Sequence, residues 1–160
     1  MRTITVNVYE FQELPLETQR KVLEEMSNDS SLCEWALDDG IRSLKAYCEH
    51  FGVTLKDWSI GAYCHSYAIT DAENHHFRGL KLKDCDKELM PTGFCIDWNF
   101  FSQFYDEFQR SGNAKLAFEH GLACGVEAIV RDCESCFEED SLIATIEANE
   151  YEFLEDGTLA

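Results

Sequence analysis

Residues 3–11 read T-I-T-V-N-V-Y-E-F, with Ile4, Val6 and Val8 on one side of an extended chain, and this β-branched alternation predicts a strand. Pro15 then suits the first turn of a helix whose apolar side is Leu16, Val22, Leu23 and Met26. Ser31 with Glu34 has the form of a capping box, and Cys33, Leu37, Ile41, Leu44, Cys48 and Phe51 recur at helical spacing until Gly52 stops the run. Residues 53–70 are β-rich around Trp58, Ile60, Tyr63, Tyr67 and Ile69, with Gly61 a candidate bulge. A polar turn over 71–76 leads into an expected strand over 77–82, and alternating Phe94, Ile96 and Trp98 predict another short one.

Helical spacing returns at Phe101, Phe104, Tyr105 and Phe108, and Ser111-Gly112-Asn113 ends it, with Asn113 placed to cap the next helix. Phe118, Leu122, Val126, Ile129, Cys133 and Phe137 define that helix, a long one, and Leu142, Ile143 and Ile146 continue the pattern. Gly121, Cys124, Gly125 and Ala128 form a small-residue patch on it, fit for close approach of another backbone. Tyr151 and Phe153 alternate with polar neighbours before the turn dipeptide Asp156-Gly157, so the tail predicts a strand. These elements describe one α+β domain over residues 1–160, a small antiparallel sheet packed with about four helices. Its first strand, residues 4–8, is expected at the sheet centre or paired with the last, residues 150–154, because domain termini often lie close together.

Composition supports a folded chain: 45% of its 160 residues are hydrophobic and only two are proline. No N-terminal apolar run has signal-peptide form and none is long enough to span a membrane, so a cytoplasmic setting with its eight cysteines reduced is expected. Charge changes the picture. Residues 1–80 carry 13 acids and 7 bases, residues 81–160 carry 18 and 6, and the total is −18. Beyond Lys115 twelve acids face one base, Arg131, on a stretch patterned to fold. Such a field repels nucleic acid and anionic membranes and attracts basic surfaces, so neither direct nucleic-acid binding nor membrane binding is expected.

The candidate contact residues are Glu127, Asp132, Glu134, Glu138, Glu139 and Asp140. Glu134, Glu138 and Glu139, with Asp132 and Asp140 beside them, are expected to form the densest outward cluster. Acidic helix faces are often merely solvated, but here basic residues at i+4 spacing, which would relieve the repulsion, are almost lacking. Carboxylates in such a pattern present negative charge much as phosphates do.

Other chemistry is weakly signalled. Cys133-x-x-Cys136 has no second pair, and Cys133 continues the apolar stripe with Cys136 beside it, which reads as core thiols. Cys64-His65, His75-His76, Cys85 and Cys95 match no zinc spacing. The G-x-S-x-G, P-loop, H-E-x-x-H and dinucleotide glycine patterns are absent, so no catalytic residue, metal or cofactor is assigned. The aromatic stripe has Asp97, Asp106 and Glu107 around it rather than the cations a base-stacking platform needs, so it reads as core.

Val8-Tyr9-Glu10-Phe11, Glu13-Leu14 and the helix over 15–26, together with Tyr151-Glu152-Phe153-Leu154-Glu155-Asp156-Gly157-Thr158-Leu159, resemble a loose group of small acidic proteins from bacteriophages and integrated mobile elements. That resemblance covers the two ends of the chain and implies a phage accessory protein of the anti-defence kind, anti-CRISPR or antirestriction. The partner implied is a defence complex or another basic nucleic-acid-binding protein. The expected function is non-enzymatic inhibition by DNA mimicry. An antitoxin-like or scaffolding module is the alternative, and a Cys/His metal-binding enzyme a second.

Overall fold

A computed structural model describes residues 6–160. The protein is α+β, and its contacts gather into two compact units. A terminal unit combines residues 6–32 with Ser135–Ala160, and a central unit is Cys33–Glu134.

In the terminal unit β1 (Tyr9–Glu10) pairs antiparallel with β4 (Glu152–Phe153), in register Tyr9 to Phe153 and Glu10 to Glu152. The two ends of the chain do pair, but further along than the alternation of Ile4, Val6 and Val8 implies. Residues 3–5 of that expected strand lie outside the described residues, and Val6 and Val8 are 58% and 45% exposed. The apolar anchors are Phe11 and Leu14 instead, buried with Val22, Ile146 and Phe153. The Leu14 N–H donates to the Phe11 carbonyl through a 3-10 turn, which folds both side chains under α1.

That helix, α1 (Leu16–Ser27), begins directly after Pro15, whose carbonyl accepts the Gln19 N–H at 2.9 Å. Leu16, expected on its apolar side, is 74% exposed. α1 packs on α5 (Glu139–Ala148). The expected continuous helix from Phe118 to Phe137 ends at Ser135, and α5 starts afresh after Glu138.

The central unit is built on α2 (Glu34–His50), α3 (Ile96–Ser111) and α4 (Ala114–Ser135), α4 ending one residue past its edge. The expected Ser31 capping box is replaced by Asp29, in the terminal unit, whose Oδ1 accepts the Ser31 N–H at 3.0 Å and starts a 3-10 turn. Gly112 sits left-handed at φ 66 and closes α3, and Asn113 Oδ1 accepts the Leu116 N–H at 3.1 Å to cap α4. Phe94, Ile96 and Trp98 form no strand. Asp97 Oδ2 accepts both the Thr92 N–H (2.9 Å) and the Thr92 hydroxyl (2.8 Å), folding the chain back into the first turn of α3.

Tyr47 organises this core. Its ring stacks on Phe118 at 5.0 Å, and its hydroxyl donates to the Phe118 carbonyl at 3.0 Å. The small-residue patch has the packing role its composition implies. A Cβ on Gly121 would meet the Phe100 carbonyl oxygen at 2.7 Å and strike the Tyr47 hydroxyl, and one on Gly125 would strike the Phe100 ring. The second ribbon is β2 (Leu55–Ser59) antiparallel to β3 (Tyr67–Thr70), with Gly61 and Tyr63 in its loop. The expected strand over 77–82 is replaced by 3-10 turns at Asn74–Phe77 and Leu82–Asp84. In these turns Phe77 is pulled into the aromatic core, 5.4 Å from Phe118.

Candidate functional site

The six carboxylates read from sequence fall in both units, three in each. On α4, Glu127 is exposed and lines a groove of about 380 Å³ with Val126, Val130, Arg131, Cys64 and Ser66. Asp132 is exposed, and its carboxyl is raised by partial burial against the opposing pull of Arg131. Glu134 is not an outward carboxylate. It is half-buried, and its Oε1 accepts the N–H of Tyr63 at 3.4 Å, a weak bond to a residue held left-handed at φ 54.

Glu138, Glu139 and Asp140 are exposed at the start of α5, with Glu138 at the N-cap position and the other two in the first turn. Negative charge there complements the helix dipole, so these three have a structural use besides any contact they make.

Counting charge by unit rather than by sequence half moves the emphasis. Over its described residues the terminal unit has 14 acids and 2 bases, net −12, in the smaller part of the chain. The central unit has 17 acids and 10 bases, net −7. The acidic body is therefore the terminal unit, which includes the acids of α1.

That unit carries a groove of about 500 Å³ that the sequence did not single out. Phe11 and Ile146, 5% and 2% exposed, form its floor. Glu10, Glu147, Glu150 and Glu152 stand around it, and Gln12 and Tyr151 complete the wall. Glu10 and Glu152 face each other in the strand pair, so two like charges are set directly opposite one another. Gln12 Nε2 donates to Glu147 Oε1 at 2.9 Å and fixes that carboxylate. The sequence signal available was the acids flanking Tyr151, but Gln12 and Glu147 lie 135 positions apart.

Among the described residues no three His, Cys, Asp or Glu side chains gather as metal ligands. Cys133 is fully buried and Cys136 half-buried. His76 Nδ1 accepts the Glu73 N–H at 3.0 Å, and the His75 and His76 rings lie 4.0 Å apart. The aromatic stripe is core: Phe101, Phe104 and Phe108 are buried, and Tyr105 is half-buried with Lys87 Nζ 6.0 Å from its ring. No helix among the described residues is long and apolar enough to cross a membrane. No family model, curated protein or solved structure matches the chain.

Proposed function

We propose that this chain is a non-enzymatic inhibitor of the anti-defence kind, acting in the cytoplasm, which masks the basic nucleic-acid-binding surface of a partner protein with its own carboxylates. The observation that carries the reading is the strongly acidic terminal unit, 14 acids against 2 bases among the described residues of a folded body. Self-repulsion of this size opposes compaction, and a basic partner relieves it. Glu127 and Asp132 on α4, and Glu138, Glu139 and Asp140 at the start of α5, are exposed carboxylates that add to the attraction. Lysines and arginines that would otherwise hold phosphates pair with these carboxylates, and arginine gains most because it bonds in bidentate fashion.

The test is capture from a bacterial lysate on the immobilised chain, followed by challenge with salt and double-stranded DNA. The expected partner is retained at low salt, leaves as ionic strength rises and is displaced by DNA. A complex indifferent to both would sink the proposal. Reversing Glu127 and Asp132 to lysine is the cleanest companion variant, because both are exposed and neither stands at the start of a helix.

A second reading, a scaffolding or antitoxin-like module, is favoured by one observation. Trp58 and Ile69 are 38% and 52% exposed on the central ribbon. It predicts a complex whose affinity barely changes with salt and falls when Trp58 and Ile69 are made polar.

A further inference from the structure

We infer that the groove of the terminal unit is a receptor for an arginine side chain presented by a basic protein segment, an inference that rests on the proposed function for the class of partner. Three features point to that one occupant. The first is shape and floor: about 500 Å³ of concave space over Phe11 and Ile146, with Tyr151, 36% exposed, in its wall. A long aliphatic stem packs on such a surface, and a planar guanidinium stacks on an aromatic ring.

The second is charge. Glu10, Glu147, Glu150 and Glu152 line the groove, and among the described residues no lysine, arginine or histidine does. The Glu10–Glu152 opposition across β1 and β4 is a destabilising arrangement that a cation seated near both carboxylates relieves.

The third is preorganisation. The Gln12 bond to Glu147 Oε1 holds one acceptor in place before any ligand arrives, and the Tyr151 N–H is tied to the Ile146 carbonyl at 3.1 Å. Fixed acceptors lower the ordering cost of binding. A bare metal ion is a poorer occupant, because no three of these carboxylates converge as ligands among the described residues. A lysine ammonium satisfies the charge but neither stacks nor bonds in bidentate fashion as arginine does.

The experiment is a titration of the full chain, at low salt, with an acetylated and amidated tri-arginine peptide, followed by amide and side-chain NMR shifts. Shifts should concentrate at Tyr151 and at the Gln12 side-chain amide. Glu147→Gln combined with Glu150→Gln should weaken binding tenfold or more. Glu127→Gln combined with Asp132→Asn, which removes the same charge elsewhere, should weaken it less than threefold. Tyr151→Leu, which leaves the charge untouched, should cost at least threefold, and tri-lysine should bind at least threefold more weakly than tri-arginine.

Equal losses from the two charge-removing pairs, or shifts spread evenly over both units, would overturn the groove. The inhibitor reading would survive that result, since it needs only a one-signed surface. Conversely, a lysate complex indifferent to salt would remove the inhibitor reading, while saturable tri-arginine binding confined to Tyr151 and Gln12 would still uphold the groove as a guanidinium site.

Discussion

The central unit has a dense aromatic core and a moderate charge, whereas the terminal unit has a thin core and a concentrated charge. Tyr47, Phe100, Phe101, Phe104 and Phe118 are all 2% exposed or less in the central unit. The terminal core is five buried residues with Tyr9, Leu23, Met26 and Ile143 packed around them, joined by strands of two residues each. Yet it is the terminal unit that carries net −12 over its described residues, against −7 for the central one. Repulsion is concentrated where burial is least able to offset it. The partner-binding reading therefore centres on this unit.

The contrast breaks first at the two cores. Phe100→Ala, at a fully buried ring against Gly125 and 5.1 Å from Tyr47, should cost about 3–5 kcal/mol by urea denaturation. A loss under about 1 kcal/mol would mean the aromatic cluster is not what holds the central unit. In the terminal unit Phe153→Ala should cost about 3 kcal/mol, because Phe153 is 3% exposed and meets the Phe11 ring at 6.3 Å. Faster hydrogen exchange at the Leu154 amide, which bonds to the Thr158 carbonyl at 2.7 Å, is its local readout.

Alkali sharpens the contrast. Burial pushes the Cys48 thiol from 9.0 up to about 11. Between those values the unfolded chain has released a proton that the folded chain still holds. The contribution is therefore complete below pH 9 and is lost as pH rises to 11, by about 2–3 kcal/mol. Cys48→Ala should flatten that slope for the central unit; an unchanged slope would clear the thiol of the effect.

In the terminal unit the Thr158 backbone N–H lowers the Asp156 carboxyl below 3.8. Its contribution is present above that value and fades as pH falls through the lower folded one. Acid acts in the same sense on the central unit through Asp71, lowered by the Thr54 N–H.

The smallest effect separates structural from binding use of the acids. Glu139→Gln with Asp140→Asn removes negative charge from the first turn of α5 and should cost about 0.5 kcal/mol for each substitution. The Glu127→Gln and Asp132→Asn pair on α4 has no helix start to lose, so its thermal melt should stay close to the parent's. If both pairs leave the melt unchanged, the dipole role of the α5 acids is negligible, and their surface is free for contact.

Local signals made much of the fold legible. The 3.6-residue spacing of Ile41, Leu44 and Cys48, the left-handed Gly112 and the Asn113 cap act within a turn or two, so α2, the end of α3 and the start of α4 follow from nearest neighbours. The acid excess was legible because charge is a count, and the ends of the chain do pair, but at Tyr9–Glu10, past the alternating residues 4–8.

Only tertiary structure decided the rest. Phe94, Ile96 and Trp98 alternate like a strand, but Thr92 bonding to Asp97, and to Ser43 of α2 at 3.1 Å, makes them the approach and first turn of a helix. Glu134 reads like its neighbours, yet it turns to the Tyr63 amide because the ribbon loop of the central unit arrives there. The groove needs Glu10 opposite Glu152 and Gln12 against Glu147, contacts between distant parts of the chain. A carboxylate's role depends on what packs beside it, and for these residues the neighbours come from distant sequence.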